Sequence, residues 1–454
     1  MLEKLIAFIM SILSVFSGFM FKNYDTDFEI SAGGINTNGT VTITEKTELA
    51  VKDYGKKFNY YGIKYISDAY LKCTLHYVVK GEEVTEDFFL EPAKKTTVFY
   101  SFIDNALDKV KAEDFTELTV EPLNSEKANF EILASNVFLR EVPKQEIFIE
   151  TEKFKLGVDL LWGGALSYLE DLDSDVEAVK VNGKIKVDSN ASDRYDTSAV
   201  NKNVNLINRN DTGRLVQQSY YGTVGAPYEP GNYMGNTWNY NPVQGGNQYN
   251  ENSKIVDIKC TDTEIYVKCR PLDWAKSKEY ITPSYMEAWY RIENNNVHVK
   301  CRFTDFSGYP ATPRTQELPA FYCIEPLNTF VYYDGVEPFS KENKLITNNK
   351  LGFWPDEGYP NFTSVEQWSA YRGEFSDSFG IGLYMPTHDT FLTGVFARGE
   401  TTEKDPSKAG PTSYIAVVKD YVFESFKPKE YDYYISTGTT DEIRNNFKEI
   451  SDLV

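Results

Sequence analysis

Short runs in which apolar and polar residues alternate recur along most of this 454-residue chain. Two of the clearest are Ala69–Val79 and Val297–Thr304, and turn-forming residues flank both. Alternation with a period of two turns one face of a strand toward a core and the other toward solvent. The 32 tyrosines and 29 phenylalanines also favour strands over helices. The sequence therefore predicts an all-β protein.

The length of the chain exceeds what one hydrophobic core usually organises, so two domains are expected. Residues 25–143 have the pattern of an antiparallel, jelly-roll-like β-sandwich. Residues 147–438 predict a second all-β domain, which two long connections around 219–252 and 337–368 interrupt. Connections of that length usually carry binding residues. A C-terminal helix is predicted over residues 440–453, with Thr440 as its N-cap.

The first 22 residues and the overall charge restrict where the protein acts and what it binds. Residues 1–22 contain Lys4 and then an apolar run, which predicts a secretory signal or an uncleaved N-terminal anchor, with a buried helix as the alternative. A secreted or cell-surface protein is expected, which contacts a membrane only through this segment. The net charge of -20 repels phosphate backbones, so no nucleic-acid partner is expected and uronate-rich or sulfated polymers are disfavoured.

The stretch from Asn208 to Tyr249 combines aromatic rings with amides and arginines, while aliphatic residues are rare in it. Ring faces can stack on the C–H face of a sugar, and planar amide or guanidinium groups can bond its hydroxyls. A buried aromatic cluster under a loop is the alternative interpretation. The sequence predicts an oligo- or polysaccharide site here, with these candidate contacts: Arg209, Arg214, Gln217, Gln218, Tyr220, Tyr221, Trp238, Tyr240, Asn241 and Gln244.

Four carboxyl groups are candidates for chemistry on a sugar, because glycosidic hydrolysis needs one carboxyl as acid and a second as base or nucleophile. Apolar residues follow Glu317 directly, and Glu287 is expected to share a strand face with Trp289 and Arg291. A salt bridge is the alternative role for each of them. The candidate catalytic residues are Glu317, Glu287, Glu366 and Asp211. The predicted substrate contacts are completed by Trp289, Arg291, Arg314 and Trp368.

Four segments carry a resemblance to known proteins: Leu161-Trp-Gly-Gly-Ala-Leu166, the run from Asn208 to Arg214, the strand from Val297 to Asp305, and Gln316-Glu-Leu-Pro-Ala-Phe-Tyr322. Their order resembles the galactose-mutarotase-like supersandwich of carbohydrate-active proteins of bacterial type that also have an N-terminal β-sandwich. The resemblance implies a sugar cleft in residues 147–438, with the two glycines in a hairpin near it. It also implies that Glu317 stands where aldose epimerases have a catalytic histidine. Their glutamate base has no counterpart in Pro411–Ala416, which disfavours a conventional mutarotase.

Three functions remain open on these observations. The leading hypothesis is a glycoside hydrolase that acts on a neutral oligo- or polysaccharide, with Glu317 as proton donor and Glu287 or Glu366 as its partner. A non-catalytic glycan-binding surface protein and a polysaccharide lyase are the alternatives. In a lyase, Tyr220 or Tyr221 would abstract the proton beside an arginine. No cofactor and no metal site are predicted.

Overall fold

The computed structural model describes residues 28–37, 40–44, 46–51, 57–172, 184–185, 195–196, 204–342, 344–348, 361–373, 378–396, 403 and 405–453. The chain divides into two compact units. One is Met1–Asp104 with Lys109–Glu141, and the other is Asn105–Asp108 with Val142–Val454. The predicted signal or anchor over residues 1–22 lies outside the described residues and stays a prediction. Among the described residues, no helix has the length and apolar character to cross a membrane.

The first unit is a β-sandwich of two five-stranded antiparallel sheets, in the orders β1-β4-β9-β6-β7 and β2-β3-β10-β5-β8. Aromatic side chains pack between the two sheets. The ring of Tyr61 on β5 lies 5.5 Å from that of Phe88 and 5.7 Å from that of Phe115, both on the opposite sheet. The predicted N-terminal sandwich is confirmed. The strands are β1 Phe28–Ala32, β2 Ile35–Thr37, β3 Thr40–Ile43, β4 Thr47–Val51, β5 Tyr60–Ser67, β6 Leu71–Val79, β7 Glu82–Leu90, β8 Ala93–Phe102, β9 Asp114–Pro122 and β10 Ala128–Phe138.

The second unit contains two large antiparallel sheets and two small hairpins. The strands are β11 Glu146–Glu150, β12 Phe154–Asp159, β13 Ala165–Asp171, β14 Lys184–Ile185, β15 Tyr195–Asp196, β16 Val216–Ser219, β17 Gly231–Tyr233, β18 Asn236–Trp238, β19 Pro242–Val243, β20 Lys254–Cys260, β21 Glu264–Arg270, β22 Leu272–Asp273, β23 Ser284–Glu293, β24 Asn296–Asp305, β25 Pro313–Ile324, β26 Thr329–Tyr333, β27 Leu345–Asn348, β28 Asn361–Thr363, β29 Trp368–Arg372, β30 Gly380–Tyr384, β31 Thr390–Phe396, β32 Thr412–Val422 and β33 Lys429–Gly438.

The ten-stranded sheet has the order β11-β12-β13-β16-β25-β32-β31-β28, with β19 paired to β16 and β22 paired to β19. The nine-stranded sheet has the order β20-β21-β23-β24-β33-β30-β29-β26-β27. The two sheets pack face to face: the Tyr220 ring stacks on Phe303 at 4.1 Å, and the Gln218 side chain donates to the backbone oxygen of Glu287 at 2.9 Å. The all-β class and the sandwich arrangement predicted for this unit are confirmed.

The paired glycines of the quoted motif serve this packing and do not line a cleft. Gly163 has a φ of 59°, and a Cβ there would meet the backbone oxygen of Gln244 at 1.9 Å. A Cβ on Gly164 would meet Val267 on β21 at 2.4 Å. A side chain at Gly163 would displace the backbone after β19, and one at Gly164 would push against the facing sheet, so close packing by itself requires both glycines.

One α-helix, Thr440–Ser451, ends the described chain and covers the nine-stranded sheet. Its N-cap is Thr439, one residue before the expected Thr440, and a capping box joins Thr439 to Glu442. The buried face of the helix, which includes Ile443 and Phe447, packs on Trp368 of β29. Spacings of three and four residues produce this apolar face.

Candidate functional site

Three adjacent strands of the ten-stranded sheet, β16, β25 and β32, form the floor of an open cavity of about 480 Å³. Ser219 pairs with Glu317, and Glu317 pairs in turn with Val418, so these residues form one row across the strands. The aromatic part of the floor comes from Tyr322 on β25 and its cross-strand partner Tyr414 on β32, whose rings lie 4.5 Å apart. The sheet thus places one carboxyl among tyrosines on a single face.

A β-bulge in β25 brings Glu317 and Tyr322 to the same face. The pairing with β32 shifts by one residue between Glu317 and Ala320, and the pairing with β16 shifts at the same place. Without that extra residue, positions 317 and 322 would face opposite ways, because successive side chains of a strand alternate. Glu317, Ala320 and Tyr322 all line the cavity as a result.

The hairpin of β17 and β18 forms one wall of the cavity, and Tyr233, Met234, Asn236 and Trp238 line it. The rings of the wall support one another edge to face: Tyr233 lies 5.1 Å from Trp238 and 5.7 Å from Trp274. Met234 at the turn is 68% exposed, so the tip of the hairpin is in solvent. The wall therefore offers flat apolar surface beside open water.

Two of the predicted sugar contacts, Gln217 and Asn241, line the cavity but use their amides to hold neighbouring segments. Gln217 donates to the backbone oxygens of Thr212 and Arg214 and accepts from the backbone of Gly245 at 2.7 Å. Asn241 accepts from the Trp238 indole at 3.1 Å and donates to the backbone oxygen of Tyr220 at 2.7 Å. The two amides thus hold the backbone around Arg214 and the indole of Trp238 in place, and both of these residues line the cavity.

Glu317 is the carboxyl on the cavity floor, and two phenols hold it. The Tyr414 hydroxyl donates to its Oε1 at 2.5 Å, and the Tyr221 hydroxyl also bonds to it. Burial raises the pKa of the Glu317 carboxyl, and the two phenol hydrogen bonds oppose that rise only in part. A carboxyl with a raised pKa keeps its proton to higher pH than an ordinary glutamate, which is the property that a general acid needs.

Arg214 and Asp211 lie at the other end of the cavity, around Tyr322. The Arg214 guanidinium lies over the Tyr322 ring, 5.3 Å from its centroid. Burial raises the pKa of Tyr322, and the charges of both Glu317 and Asp211 raise it further, so the two carboxylates act on one ring. Asp211 itself accepts from the Gly213 backbone at 2.9 Å and does not line the cavity.

Four predicted contacts lie on the opposite side of the floor, packed between the two large sheets. Tyr220 and Gln218 alternate with the cavity residues on and after β16, so they face the nine-stranded sheet, and the Tyr220 hydroxyl donates to Gln218 at 3.1 Å. Gln244 donates to the Gly163 backbone oxygen, and the buried Tyr240 donates to Asp305 at 2.9 Å. The predicted convergence of these residues with Trp238 is therefore wrong, because strand alternation separates them.

The carboxyls expected to pair with Glu317 lie elsewhere. Glu287 is buried on β23, where it accepts from Tyr266 at 2.7 Å and from Arg302 at 2.9 Å. Although burial acts to raise it, the pKa of Glu287 is lowered by the charges of Lys268 and Arg302. Glu366 accepts from the Trp368 indole at 2.7 Å and from Arg444 at 2.6 Å. Both carboxylates are compensated structural charges, which corrects the expected pairing.

The remaining predicted contacts are also outside the cavity. Trp289 lies 5.0 Å from Tyr266 on the nine-stranded sheet, and its neighbour Arg291 forms an ion pair with Glu264. Arg209 pairs with Glu146 at 2.6 Å. Arg314 is three residues before Glu317 on β25 and therefore faces the other side of the sheet. Trp368 is fully buried under the helix.

Sequence reasoning missed several residues that line the cavity: Tyr233, Met234, Asn236, Trp274, Tyr322 and Tyr414. Tyr414 is the most important omission, because its hydroxyl holds Glu317. The available signal was alternation, since Tyr414, Ala416 and Val418 share one strand face. In the described part of the chain, no group of His, Cys, Asp and Glu side chains could hold a metal ion.

No family model and no curated protein matches the chain. Among solved structures, a proposed aldose 1-epimerase from Escherichia coli K12 has 8% identity and a TM-score of 0.37, over 65% of this chain and 99% of that one. The galactose 1-epimerase from Lactobacillus acidophilus NCFM has 9% identity and a TM-score of 0.33, over 66% and 97%. A GH36 alpha-galactosidase from Geobacillus stearothermophilus has 10% identity and a TM-score of 0.33, over 65% and 40%.

These solved structures include aldose epimerases, the class of protein that the sequence motifs resemble. Their TM-scores lie below 0.5, and they therefore carry no argument about what the chain does. The cavity and its residues have to supply that argument.

Proposed function

We propose that this chain is a carbohydrate-active protein that binds a neutral sugar in the cavity above Glu317 and cleaves its glycosidic bond. The observation that supports the proposal is the position of Glu317: a carboxyl with a raised pKa on the floor of an open cavity whose wall is aromatic. Pockets for small molecules combine apolar walls with few, well-placed polar groups. This cavity has both.

The cavity matches the two-sided chemistry of a sugar ring. Trp238 and Tyr233 offer flat faces for its C–H side, and Asn236 and Arg214 offer donors for its hydroxyl edge. The Arg214 guanidinium, a fixed positive charge, lines the same cavity and repels a cation. A neutral polyhydroxylated ligand therefore fits better than a cation.

In the proposed reaction, protonated Glu317 gives its proton to the glycosidic oxygen as the bond to the anomeric carbon breaks. Water supplies the hydroxyl that the anomeric carbon gains, and its proton passes to a carboxylate base. Asp211 is our candidate for that base, in place of Glu287 and Glu366. Its carboxylate accepts from the Gly213 backbone at 2.9 Å, and Gly213 lines the cavity, so the carboxylate borders the cavity without lining it.

The test compares the wild-type chain with Glu317→Gln and Asp211→Asn on a panel of neutral oligo- and polysaccharides. We expect wild type to release reducing ends. Glu317→Gln should lose at least about 100-fold in rate while it still binds the sugar, because general acid catalysis contributes that much. Glu293→Gln is the matched control, since Glu293 is an exposed carboxylate at the end of β23 and should change nothing.

Each other outcome identifies an alternative. Sugar binding without products from any chain would support the non-catalytic glycan-binding protein. Products that absorb ultraviolet light through a new double bond would support the lyase. Full activity in Glu317→Gln would remove Glu317 from the mechanism, and full activity in Asp211→Asn would remove only Asp211.

A further inference from the structure

A second cavity, of about 320 Å³, opens on the ten-stranded sheet beside the first. Its lining is almost entirely polar: Thr315, Asn361, Thr387, His388, Asp389 and Thr390 surround one apolar residue, Val418. The residues come from β25, β28, β31 and β32 and from the turn before β31. The proposed reaction uses none of them.

The two cavities share one face of the sheet. Thr315 is two residues before Glu317 on β25, with no shift in pairing between them, so both side chains face the same way. Val418 lines the second cavity and is the cross-strand partner of Glu317, which lines the first. The boundary between the cavities is thus a single pair of neighbouring residues.

The row of side chains through this boundary continues across four strands. Ser219 pairs with Glu317 and Glu317 with Val418. Phe391 pairs with Val417, so the antiparallel register puts Thr390 beside Val418. At about 4.8 Å per strand, this row spans about 14 Å, which is longer than a single sugar ring. A ligand on the first cavity's floor that extends along the row enters the second.

The lining of the second cavity is suited to hydroxyl groups. Thr315 and Thr387 are exposed threonines that can donate or accept, and Asn361 adds an amide with both functions. The His388 imidazole lies 2.6 Å from the Thr387 hydroxyl, so the two side chains form one polar group at the cavity. The Asp389 carboxylate can accept hydrogen bonds from hydroxyl groups, and its charge repels anionic sugars.

We propose that the second cavity is a subsite for further units of a neutral glycan whose reacting unit lies over Glu317, so the substrate class is the oligo- or polysaccharide and not the free monosaccharide. This inference rests on the proposed function. It adds that affinity increases with the number of sugar units in the glycan and that Thr315 and Asn361 provide this increase.

The test measures binding by calorimetry in a Glu317→Gln background, which should not consume the ligand. The probes are glucose, galactose and mannose and their linear di- to hexasaccharides. We expect the best oligosaccharide to bind at least about tenfold more tightly than its monosaccharide. Thr315→Val or Asn361→Ala should each remove about three- to tenfold of that gain, the worth of one hydrogen bond, and leave monosaccharide binding unchanged. Thr347→Val, an exposed threonine on β27, is the matched control.

Four results would overturn the inference. If monosaccharide and oligosaccharides bind equally, or if the gain survives both substitutions, the second cavity is not a subsite and the proposed function still stands. If the control variant Thr347→Val loses the gain as well, the effect is not local to the cavity. If no probe binds, the proposed function fails first, and the subsite fails with it.

Discussion

The hydrogen bond from Tyr414 to Glu317 permits a prediction with a definite sign. At 2.5 Å the bond is short, as is typical of a hydroxyl that donates to a carboxylate. It lowers the pKa of Glu317 against the larger effect of burial. Tyr414→Phe removes the hydroxyl and keeps the ring, so the charged form of Glu317 loses its donor. The pKa of Glu317 should therefore rise above its wild-type value.

The size of the shift follows from the kind of bond. A hydrogen bond to a charged group contributes about 1.5–3 kcal/mol. One pKa unit corresponds to about 1.4 kcal/mol, so the full loss would raise the pKa by about 1–2 units. Tyr221 still bonds to the carboxyl in this variant, and it holds the shift toward the lower end.

Carbon-detected NMR of chains labelled at the glutamate δ-carbon measures this pKa without any substrate. The signal of Glu317 is the one that Glu317→Gln lacks. Where turnover is measurable, a group that must be protonated loses activity as pH rises through its pKa, so the alkaline limb of the pH–rate profile should move to higher pH in Tyr414→Phe.

Tyr322→Phe is the matched control for this measurement. Its ring lies against that of Tyr414 in the same cavity, but the phenols that bond to Glu317 are those of Tyr414 and Tyr221. The assigned role of the Tyr414 hydroxyl would be refuted if the pKa of Glu317 were unchanged or lower in Tyr414→Phe. It would also be refuted if the pKa of Glu317 rose by the same amount in Tyr322→Phe.

Two further substitutions test the division between cavity and framework. Trp238→Ala should weaken sugar binding, measured by calorimetry, about tenfold, because it removes the stacking face of the hairpin. Trp289→Ala changes a tryptophan on the other sheet and should leave this affinity unchanged. Arg444→Met leaves the buried Glu366 carboxylate without its guanidinium partner and should lower the unfolding free energy of the second unit by about 3–5 kcal/mol. Denaturant unfolding measures this loss, and an unchanged midpoint would contradict a structural ion pair.

The strand content was predictable because period-two alternation is a local property that needs no knowledge of partners. Which of the two strand faces meets solvent is not local. Tyr220 and Tyr221 are adjacent and chemically identical, yet one stacks on Phe303 between the sheets and the other bonds to Glu317 in the cavity. The position of the second sheet determines which of the two tyrosines is buried between the sheets and which faces the cavity. The sequence around residue 220 carries no information about that position.

The roles of the carboxyls depend on long-range pairing in the same way. Glu366 was a reasonable candidate beside Trp368, but its partner Arg444 comes from a helix 78 residues later. Glu317 was identified from the apolar residues that follow it, which do bury it. The bulge that turns Tyr322 to the same face was not visible, because a one-residue shift in pairing is a property of two strands and not of one.

The construction of the cavity separates the chemistry from the choice of ligand. The floor belongs to three paired strands, so a change at Tyr414 or Ser219 acts on the pKa of Glu317 or on its position. The wall is a short hairpin whose turn is exposed at Met234 and open around Gly235, where an added Cβ would meet nothing within 4 Å. Under the proposed function, changes there should alter which sugar face can stack and leave the strand pairing around Glu317 intact. Substitutions in the hairpin should then change the glycan that binds, while Glu317 keeps its role as proton donor.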